Sequence, residues 1–136
     1  MINQALSQIK KHEGLRLKPY RCTAGKLTIG YGRNLDDVGI SDIEAGQLLK
    51  NDLHICAADL LTIFPGFIEF AISKQIALID MRFNLGPNRF RGFKKMIAAI
   101  KQDDWPKAAI EAMDSKWYDQ VGNRGVVVIN KLCNDE

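Results

Sequence analysis

Three residues near the start of the chain, Glu13, Cys22 and Thr28, bring together a carboxyl group, a thiol and a hydroxyl. A carboxyl group can act as a general acid, a thiolate as a base or nucleophile, and a hydroxyl can hold a water molecule. Taken singly, each has a structural explanation: a solvated acid, a small buried hydrophobe and an ordinary strand residue. Taken together, they predict a hydrolytic site.

The position of Glu13 supports this prediction. Residues 3–13 have the spacing of a short amphipathic helix, with Ala5 and Ile9 on one side and Gly14 as its C-terminal stop. A carboxylate in the last helical turn faces the negative end of the helix dipole, which costs about 0.3–1 kcal/mol. This placement is a disadvantage for a structural carboxylate and an advantage for a general acid.

The next segment, residues 15–33, alternates in polarity and contains turn residues, which predicts a small β-hairpin or meander. If the loop at Ala24-Gly25 has an odd number of residues, Cys22 and Thr28 share one face of the hairpin. A two-residue loop would place them on opposite faces. Gly30, inside a strand, indicates either close approach of the backbone to a ligand or a bulge, and we predict that it binds substrate.

The rest of the chain is predicted to be helical. Ser41-Asp42-Ile43-Glu44 is a capping-box signature and opens a helix of about twenty residues that ends near Pro65. Further helices are predicted over 73–85, over 93–102, from Asp104 onward, and over 124–133. The predicted fold class is therefore α+β and mostly helical, with the β structure confined to the beginning of the chain.

Composition narrows the function classes. The length of 136 residues predicts one domain, and a hydrophobic content of 46% is enough for a packed core. The net charge of +3 comes from scattered cations, which argues against nucleic acid as a partner and weakly favours an anionic polymer. Neither a signal peptide nor a membrane span is expected. Three distant cysteines, Cys22, Cys56 and Cys133, predict reduced thiols and no metal site.

The spacing Glu13-(x8)-Cys22-(x5)-Thr28 resembles the catalytic pattern of the phage lysozymes, the endolysins of glycoside hydrolase family 24. In that family Glu is followed by Asp or Cys and then by Thr at these spacings. The flanking EGLRLKPY and LTIGYG resemble the family's N-terminal lobe, and QIALIDMRFNLG and SKWYDQVGNR resemble later segments. The resemblance implies a single lysozyme-like domain: a β lobe over about 1–40, a connecting helix over about 41–64 and a helical lobe over about 65–136, with the site in the cleft.

The resemblance also implies a reaction: hydrolysis of the β-1,4 bond between N-acetylmuramic acid and N-acetylglucosamine in peptidoglycan. Glu13 would protonate the leaving oxygen, and Thr28 would hold the attacking water. Cys22 would stand where a second carboxylate usually acts, as base or as nucleophile, so inversion and retention both stay open. Nearby Arg21 or Lys26 could lower the pKa of its thiol. No metal or organic cofactor is expected.

Outside the opening segment, two more residues are implied by resemblance. Phe83 matches an aromatic that lines the family's cleft and binds substrate, although its place in an amphipathic helix is equally well explained by core packing. Arg124 matches an arginine that reaches the catalytic Glu and supports it. Two positions depart from the relatives: Arg33 replaces a usual His and Met96 replaces a serine of some relatives, so no role is carried over to Arg33.

The expected partners are peptidoglycan glycan strands, with no nucleic acid and no stable membrane insertion, and the expected state is a monomer. By resemblance, the protein is made in the host cytoplasm and reaches the wall after holin-dependent release. One alternative is a muramidase-like module that binds peptidoglycan without cutting it, which the intact Glu13 and Thr28 argue against. Another is a helical protein-interaction domain, which leaves the Glu–Cys–Thr pattern unexplained.

Overall fold

Eight α-helices and one three-stranded antiparallel sheet form the protein in the computed structural model, which describes residues 1–136. The helices are α1 (Ile2–Glu13), α2 (Asp42–Ile63), α3 (Ile72–Leu85), α4 (Pro87–Arg91), α5 (Lys94–Lys101), α6 (Trp105–Met113), α7 (Lys116–Val121) and α8 (Asn123–Leu132). The strands are β1 (Arg16–Arg21), β2 (Leu27–Gly30) and β3 (Arg33–Asn34), in that order across the sheet. The predicted fold class, α+β and mostly helical, is confirmed.

The chain divides into two compact units, Met1–Leu48 and Leu49–Glu136. Helix α2 contributes its first residues to the first unit and the remainder to the second. The first unit otherwise contains α1 and the sheet, and the second contains α3 to α8.

The first unit has almost no apolar interior. Thr28 is the only buried residue among residues 1–48, and α1 buries none of its side chains. Hydrogen bonds and ion pairs join its segments instead. Three ion pairs link the hairpin and β3 to residues 36, 37 and 44: Arg21–Asp36, Lys26–Asp37 and Arg33–Glu44. Polar contacts, rather than apolar packing, therefore fix the positions of the strands in this unit.

The predicted capping box opens α2. The Glu44 backbone N–H donates to the Ser41 hydroxyl at 3.2 Å, and the Ser41 N–H donates to the Glu44 carboxylate at 3.0 Å. Of the apolar residues along α2, only Cys56 and Leu60 are buried, and Ile43 is 86% exposed. The start of α2 is thus fixed by its cap rather than by apolar packing.

The second unit contains the hydrophobic core, which is centred on α3. The fully buried side chains of α3 are Ala77, Leu78 and Met81. Every other helix of this unit contributes buried residues that pack around them. Among these residues are Leu60, Phe90, Met96, Ala108, Trp117, Val128 and Leu132. The four-residue apolar run 126–129, typical of a strand when taken alone, lies in α8, because Val128 and Leu132 reach this core at helical spacing.

Two short helices and a 3-10 turn are missing from the sequence prediction. Gly86, with a φ of 81°, ends α3 directly after the predicted last residue 85, but Pro87 then begins α4 at its first position, where proline is favoured. The Ser115 hydroxyl caps α7 by accepting from the Tyr118 N–H at 3.1 Å. The 3-10 turn covers Phe67–Glu69.

A charge cluster that includes one buried arginine joins α2, α3 and α4. Arg82, only 7% exposed, donates from Nε to the Asp59 carboxylate at 2.6 Å, and Arg91 donates to the same carboxylate. The Arg91 hydrogen bond, ahead of that from Arg82, lowers the pKa of Asp59 to about 2. The stabilisation from this carboxylate is therefore complete above its ordinary pKa of 3.8 and is lost as the pH falls towards 2.

We expect Asp59→Ala to destabilise the protein by about 3–5 kcal/mol at neutral pH, because it leaves the buried Arg82 guanidinium without a counter-ion. Chemical denaturation measures the change. Asp52→Ala, an exposed acid on the same helix, is the control and should change the free energy of unfolding by no more than about 0.5 kcal/mol. Equal stability of the two variants would contradict the role assigned to Asp59.

Candidate active site

The three candidate catalytic residues all belong to the first unit. Glu13 is the last residue of α1, Cys22 directly follows β1, and Thr28 lies in β2. The backbone reverses sharply after Glu13 because Gly14 adopts a φ of 68°, and its N–H closes the last helical turn on the Lys10 carbonyl at 3.2 Å. The helix end and the hairpin are therefore consecutive, with two residues between them.

The hairpin register puts Cys22 and Thr28 on one face. Tyr20 pairs with Thr28, and the Cys22 N–H donates to the Lys26 carbonyl at 3.0 Å, so the pairing continues to residues 22 and 26. The loop thus contains three residues, 23–25, and Gly25 supplies the left-handed position with a φ of 78°. Cys22 lies two positions after Tyr20 and therefore on the same face, and Tyr20 is paired with Thr28, so the thiol and the hydroxyl point to the same side. The loop therefore has an odd number of residues, which is the alternative that places Cys22 and Thr28 on one face.

The Cys22 thiol lies in a hydrogen-bonding environment that favours its ionised form. The backbone N–H groups of Lys26 and Ala24 lower its pKa, in that order of size, and the Thr28 hydroxyl lowers it further. The expected cause was the charge of Arg21 or Lys26. Both cations instead face carboxylates, with Arg21 3.6 Å from Asp36 and Lys26 3.2 Å from Asp37. Local amide donors, rather than side-chain cations, thus account for the lowered pKa.

The Thr28 hydroxyl connects the sulfur to the backbone. It donates to the Lys26 carbonyl at 2.8 Å, and it also lies within hydrogen-bonding reach of the Cys22 thiol. A hydroxyl has one proton and two acceptor positions. With its proton on the carbonyl, the oxygen can accept a hydrogen bond from a water molecule. With its proton turned to the sulfur instead, the hydroxyl stabilises the thiolate. Because Thr28 is only 4% exposed, its hydroxyl is held in one place.

The Glu13 carboxylate is exposed and makes no hydrogen bond or ion pair within its unit. Its close neighbour is the backbone of Gly32. A β-carbon at position 32 would lie 3.0 Å from Glu13 Oε2 and 3.3 Å from Cδ, and Gly32 has a φ of 87°. The backbone conformation favours glycine here, and a side chain at this position would also displace the Glu13 carboxylate by a few tenths of an ångström. Gly32 therefore forms a wall against one side of the carboxylate and leaves its oxygens accessible.

Gly30 lies at an irregularity of the sheet. It pairs with Arg16 at the end of β2, next to the bulge between Arg16 and Tyr20, and has a φ of 71°. No atom lies within 4 Å of the position that a β-carbon would take. The bulge accounts for the glycine, and the open space beside it leaves room for a ligand. Substrate binding by Gly30 stays a prediction.

Phe83 and Arg124 belong to the second unit. Phe83, on α3, is 39% exposed and borders a cavity of about 250 Å³ that Asp52, Ile55, Cys56 and Arg82 also line. Arg124, on α8, donates from Nε to the Asp80 carboxylate of α3 at 2.7 Å. The structure thus places Phe83 at a cavity and Arg124 on Asp80, and the roles expected for both residues stay predictions.

A cavity of about 540 Å³ also belongs to the second unit, and none of Glu13, Cys22 and Thr28 lines it. Its lining includes the apolar residues Phe93, Met96 and Trp117 and side chains of both charges: Lys94, Lys95, Lys116, Glu111 and Asp114. No group of three or more His, Cys, Asp or Glu side chains is arranged to hold a metal ion. No helix has the length and apolar character needed to cross a membrane.

Two contributors to the site were missed at the level of the sequence. The amide groups of Ala24 and Lys26 have no sequence signature, since every residue except proline carries one. The wall formed by Gly32 did have a signal, because glycines at 30 and 32 interrupt a strand, but that pattern does not say which atom approaches.

Most of the chain is similar to known proteins. Residues 10–133 match the family model described as Phage lysozyme. An Endolysin of Acyrthosiphon pisum secondary endosymbiont phage 1 is 32% identical over 84% of this chain and 77% of the relative. Probable T4-type lysozyme 2 of Dictyostelium discoideum is 26% identical over 96% of this chain and 94% of the relative. The Pre-baseplate central spike protein Gp5 of Enterobacteria phage T4 is 28% identical over 85% of this chain but only 25% of its own length.

Proposed function

The chain belongs to the phage lysozyme family, and from this premise we propose that it is an endolysin that hydrolyses the β-1,4 bond between N-acetylmuramic acid and N-acetylglucosamine in peptidoglycan. The observation that carries the proposal is the hairpin register, which turns the Cys22 thiol and the Thr28 hydroxyl to one face directly after the helix that ends in Glu13. Hydrolysis of a glycosidic bond with inversion uses a general acid and a general base, and a hydroxyl beside the base can hold the attacking water.

Glu13 is the proposed general acid. It would give its proton to the glycosidic oxygen as the bond from that oxygen to the anomeric carbon breaks. The absence of any hydrogen bond or ion pair to Glu13 within its unit supports this role, because a carboxyl group that is already engaged would have to lose a partner first.

Cys22 is the proposed base. The thiolate would take a proton from a water molecule held by Thr28, and the water oxygen would bond to the anomeric carbon. The products are a hemiacetal at muramic acid and a free hydroxyl at glucosamine. The thiol and the Glu13 carboxylate then exchange protons with solvent. The lowered pKa of the Cys22 thiol supports this role, and the adjacent Thr28 hydroxyl favours a base over a nucleophile.

Loss of turbidity of purified sacculi tests the proposal. We expect the purified protein to clear a sacculus suspension and to release soluble glycan fragments. If the protein instead sedimented with sacculi and released nothing, it would be a wall-binding module. If it neither bound nor cleared them, the helical interaction domain would be the better description.

Thr28→Ala is expected to lower the rate of sacculus clearing by roughly 100-fold, because the attacking water loses its holder. Thr28→Ser should retain most of the activity, since the hydroxyl is the working group and the methyl is not. Thr23→Ala, in the exposed loop of the same hairpin, is the control for threonine loss. Equal rates for the Ala and Ser variants at position 28 would contradict the proposed role.

The remaining parts of the proposal concern partners and location. The protein acts as a monomer on glycan strands and reaches them after synthesis in the host cytoplasm, through holin-dependent release. Phe83 and Gly30 bind the substrate, and Arg124 supports Glu13. Size-exclusion chromatography tests the monomer, and a rise in KM on Phe83→Ala tests the aromatic contact.

A further inference from the structure

Arg33 lies at the point where the backbone contacts the proposed acid. It directly follows Gly32, where an added β-carbon would lie 3.0 Å from Glu13 Oε2. It is also the first residue of β3, a strand of only two residues. Its partner in the sheet is Ile29, and the next residue, Asn34, pairs with Thr28. One short segment therefore borders both Glu13 and Thr28.

The Arg33 guanidinium makes a closed set of contacts. Nη1 and Nη2 donate to the two oxygens of Glu44 at 2.8 and 2.7 Å, a bidentate geometry, and Nη1 also donates to the Gly39 carbonyl at 3.1 Å. Glu44 is fixed in turn by the Ser41 N–H in the capping box. The segment 32–34 is thereby tied to the beginning of α2.

The Arg33–Glu44 ion pair fixes the position of β3, a role that apolar packing has for the helices of the second unit. A two-residue edge strand has few ladder hydrogen bonds, and the first unit has no apolar core that could press the strand into place. The other two ion pairs of the unit fasten the hairpin to Asp36 and Asp37 with single contacts of 3.6 and 3.2 Å. The Arg33–Glu44 pair is the only one with two parallel hydrogen bonds, so it defines an orientation as well as a distance.

We propose, on the basis of the proposed hydrolase function, that Arg33 is a positioning residue for the reaction: through Glu44 it holds Gly32 against the Glu13 carboxylate and β3 against Thr28. All of its contacts are internal, so it acts on the proton donor and the water site rather than on the substrate. The hydrogen bonds from Arg33 lower the pKa of Glu44 to about 2. The pair therefore stays charged through the neutral and mildly acidic range.

Steady-state kinetics on a soluble, uncrosslinked peptidoglycan oligomer separate this role from others. We expect Arg33→Gln and Glu44→Gln each to lower kcat by about tenfold, a fraction of the ~100-fold loss that a 1 Å misplacement can cause, with little change in KM. The double variant should be no slower than either single variant, because both remove the same tie. Arg33→Lys should recover part of kcat, since one contact can form without the fork.

Lys18→Gln and Asp42→Asn are the matched controls. Lys18 is an exposed cation of β1, and Asp42 is an exposed acid in the first turn of α2, so each removes the same charge without removing the tie. Both should leave kcat and KM unchanged. If Arg33→Gln raised KM instead of lowering kcat, or if the two losses multiplied in the double variant, the proposal would be overturned. Normal kcat in folded Arg33→Gln protein would also overturn it.

Backbone amide resonances test the role of Arg33 independently of hydrolase activity. The backbone amide resonances of Gly32 and Asn34 should move in the same way in Arg33→Gln and Glu44→Gln and stay in place in the two controls. Unmoved resonances would refute the tie. Shifted resonances in a protein that fails to cut any peptidoglycan would refute the hydrolase proposal alone. If Arg33→Gln does not fold, Glu44→Gln carries the test.

Discussion

Glu13→Gln abolishes measurable clearing of sacculi while the protein stays folded: this is the result we expect, with a fall in rate of roughly 10²–10⁴-fold, the usual contribution of a general acid. Glutamine keeps the size and hydrogen-bonding shape of the side chain but has no proton to give to the leaving oxygen. No other carboxyl group lies in the helix or hairpin segment from 2 to 30 that could replace it. Circular dichroism and the unfolding midpoint should be unchanged, because Glu13 is exposed and without a partner within its unit.

Glu69→Gln is the matched control for this experiment. Glu69 is an exposed glutamate of the second unit, so its replacement makes the same chemical change away from the hairpin. It should clear sacculi at the wild-type rate. Clearing at that rate by folded Glu13→Gln protein would remove Glu13 from the catalytic role.

The second large effect is expected at Cys22. Cys22→Ala should lose about 10²–10⁴-fold in rate, because no neighbouring side chain can accept the proton of the attacking water. Cys22→Asp should stay active, since a carboxylate performs the same transfer. Wild-type activity should fall as the pH drops through the pKa of the thiol, which lies below its ordinary value. The acid limb of Cys22→Asp should lie lower still, because an aspartate titrates near ~3.9.

Alkylation gives an independent check on the thiolate. A thiol reagent should inactivate the wild-type protein, and substrate should slow the loss. Cys133 is exposed and would react as well, whereas Cys56 is buried and burial raises the pKa of its thiol. The experiment therefore uses a protein with both changed to Ala. If Cys22→Ala cleared sacculi at the wild-type rate with an unchanged pH profile, Cys22 would be a packing residue only.

Product stereochemistry distinguishes a base from a nucleophile at this position. Direct attack by water inverts the anomeric centre, whereas a thioglycoside intermediate followed by water retains it. Early time points in proton NMR should show the α-anomer at the new reducing end. Initial release of the β-anomer would assign the nucleophilic role to Cys22.

Local signals in the sequence were enough to predict most of the elements. The capping box at Ser41 and Glu44 could be predicted because it needs only two residues, three positions apart in the sequence. The side chain of each accepts a hydrogen bond from the backbone N–H of the other. Helix α8 followed from its 3.6-residue spacing in spite of the β-branched run. The short helices α4 and α7 were missed, because five or six residues hold too few turns for periodicity to show.

The candidate site was predictable in its residue types but not in its geometry. Whether Cys22 and Thr28 share a face depended on one residue in the loop, and composition allowed either length. The sequence offered Arg21 or Lys26 as a group that could lower the Cys22 pKa, but both pair with carboxylates from the segment 34–39. Such pairings bring together residues that are about ten to fifteen positions apart, and no periodic pattern links them.

The identity of the new reducing end tests the central claim most directly. Sacculi are digested with the purified protein, the products are reduced with borohydride, and the sugars are hydrolysed and analysed by mass spectrometry. We expect muramitol, the reduced form of muramic acid, in digests with wild-type protein, and none with Glu13→Gln. Glucosaminitol in its place, or no reducible ends in spite of clearing, would contradict the proposal that this protein cuts the muramic acid–glucosamine bond.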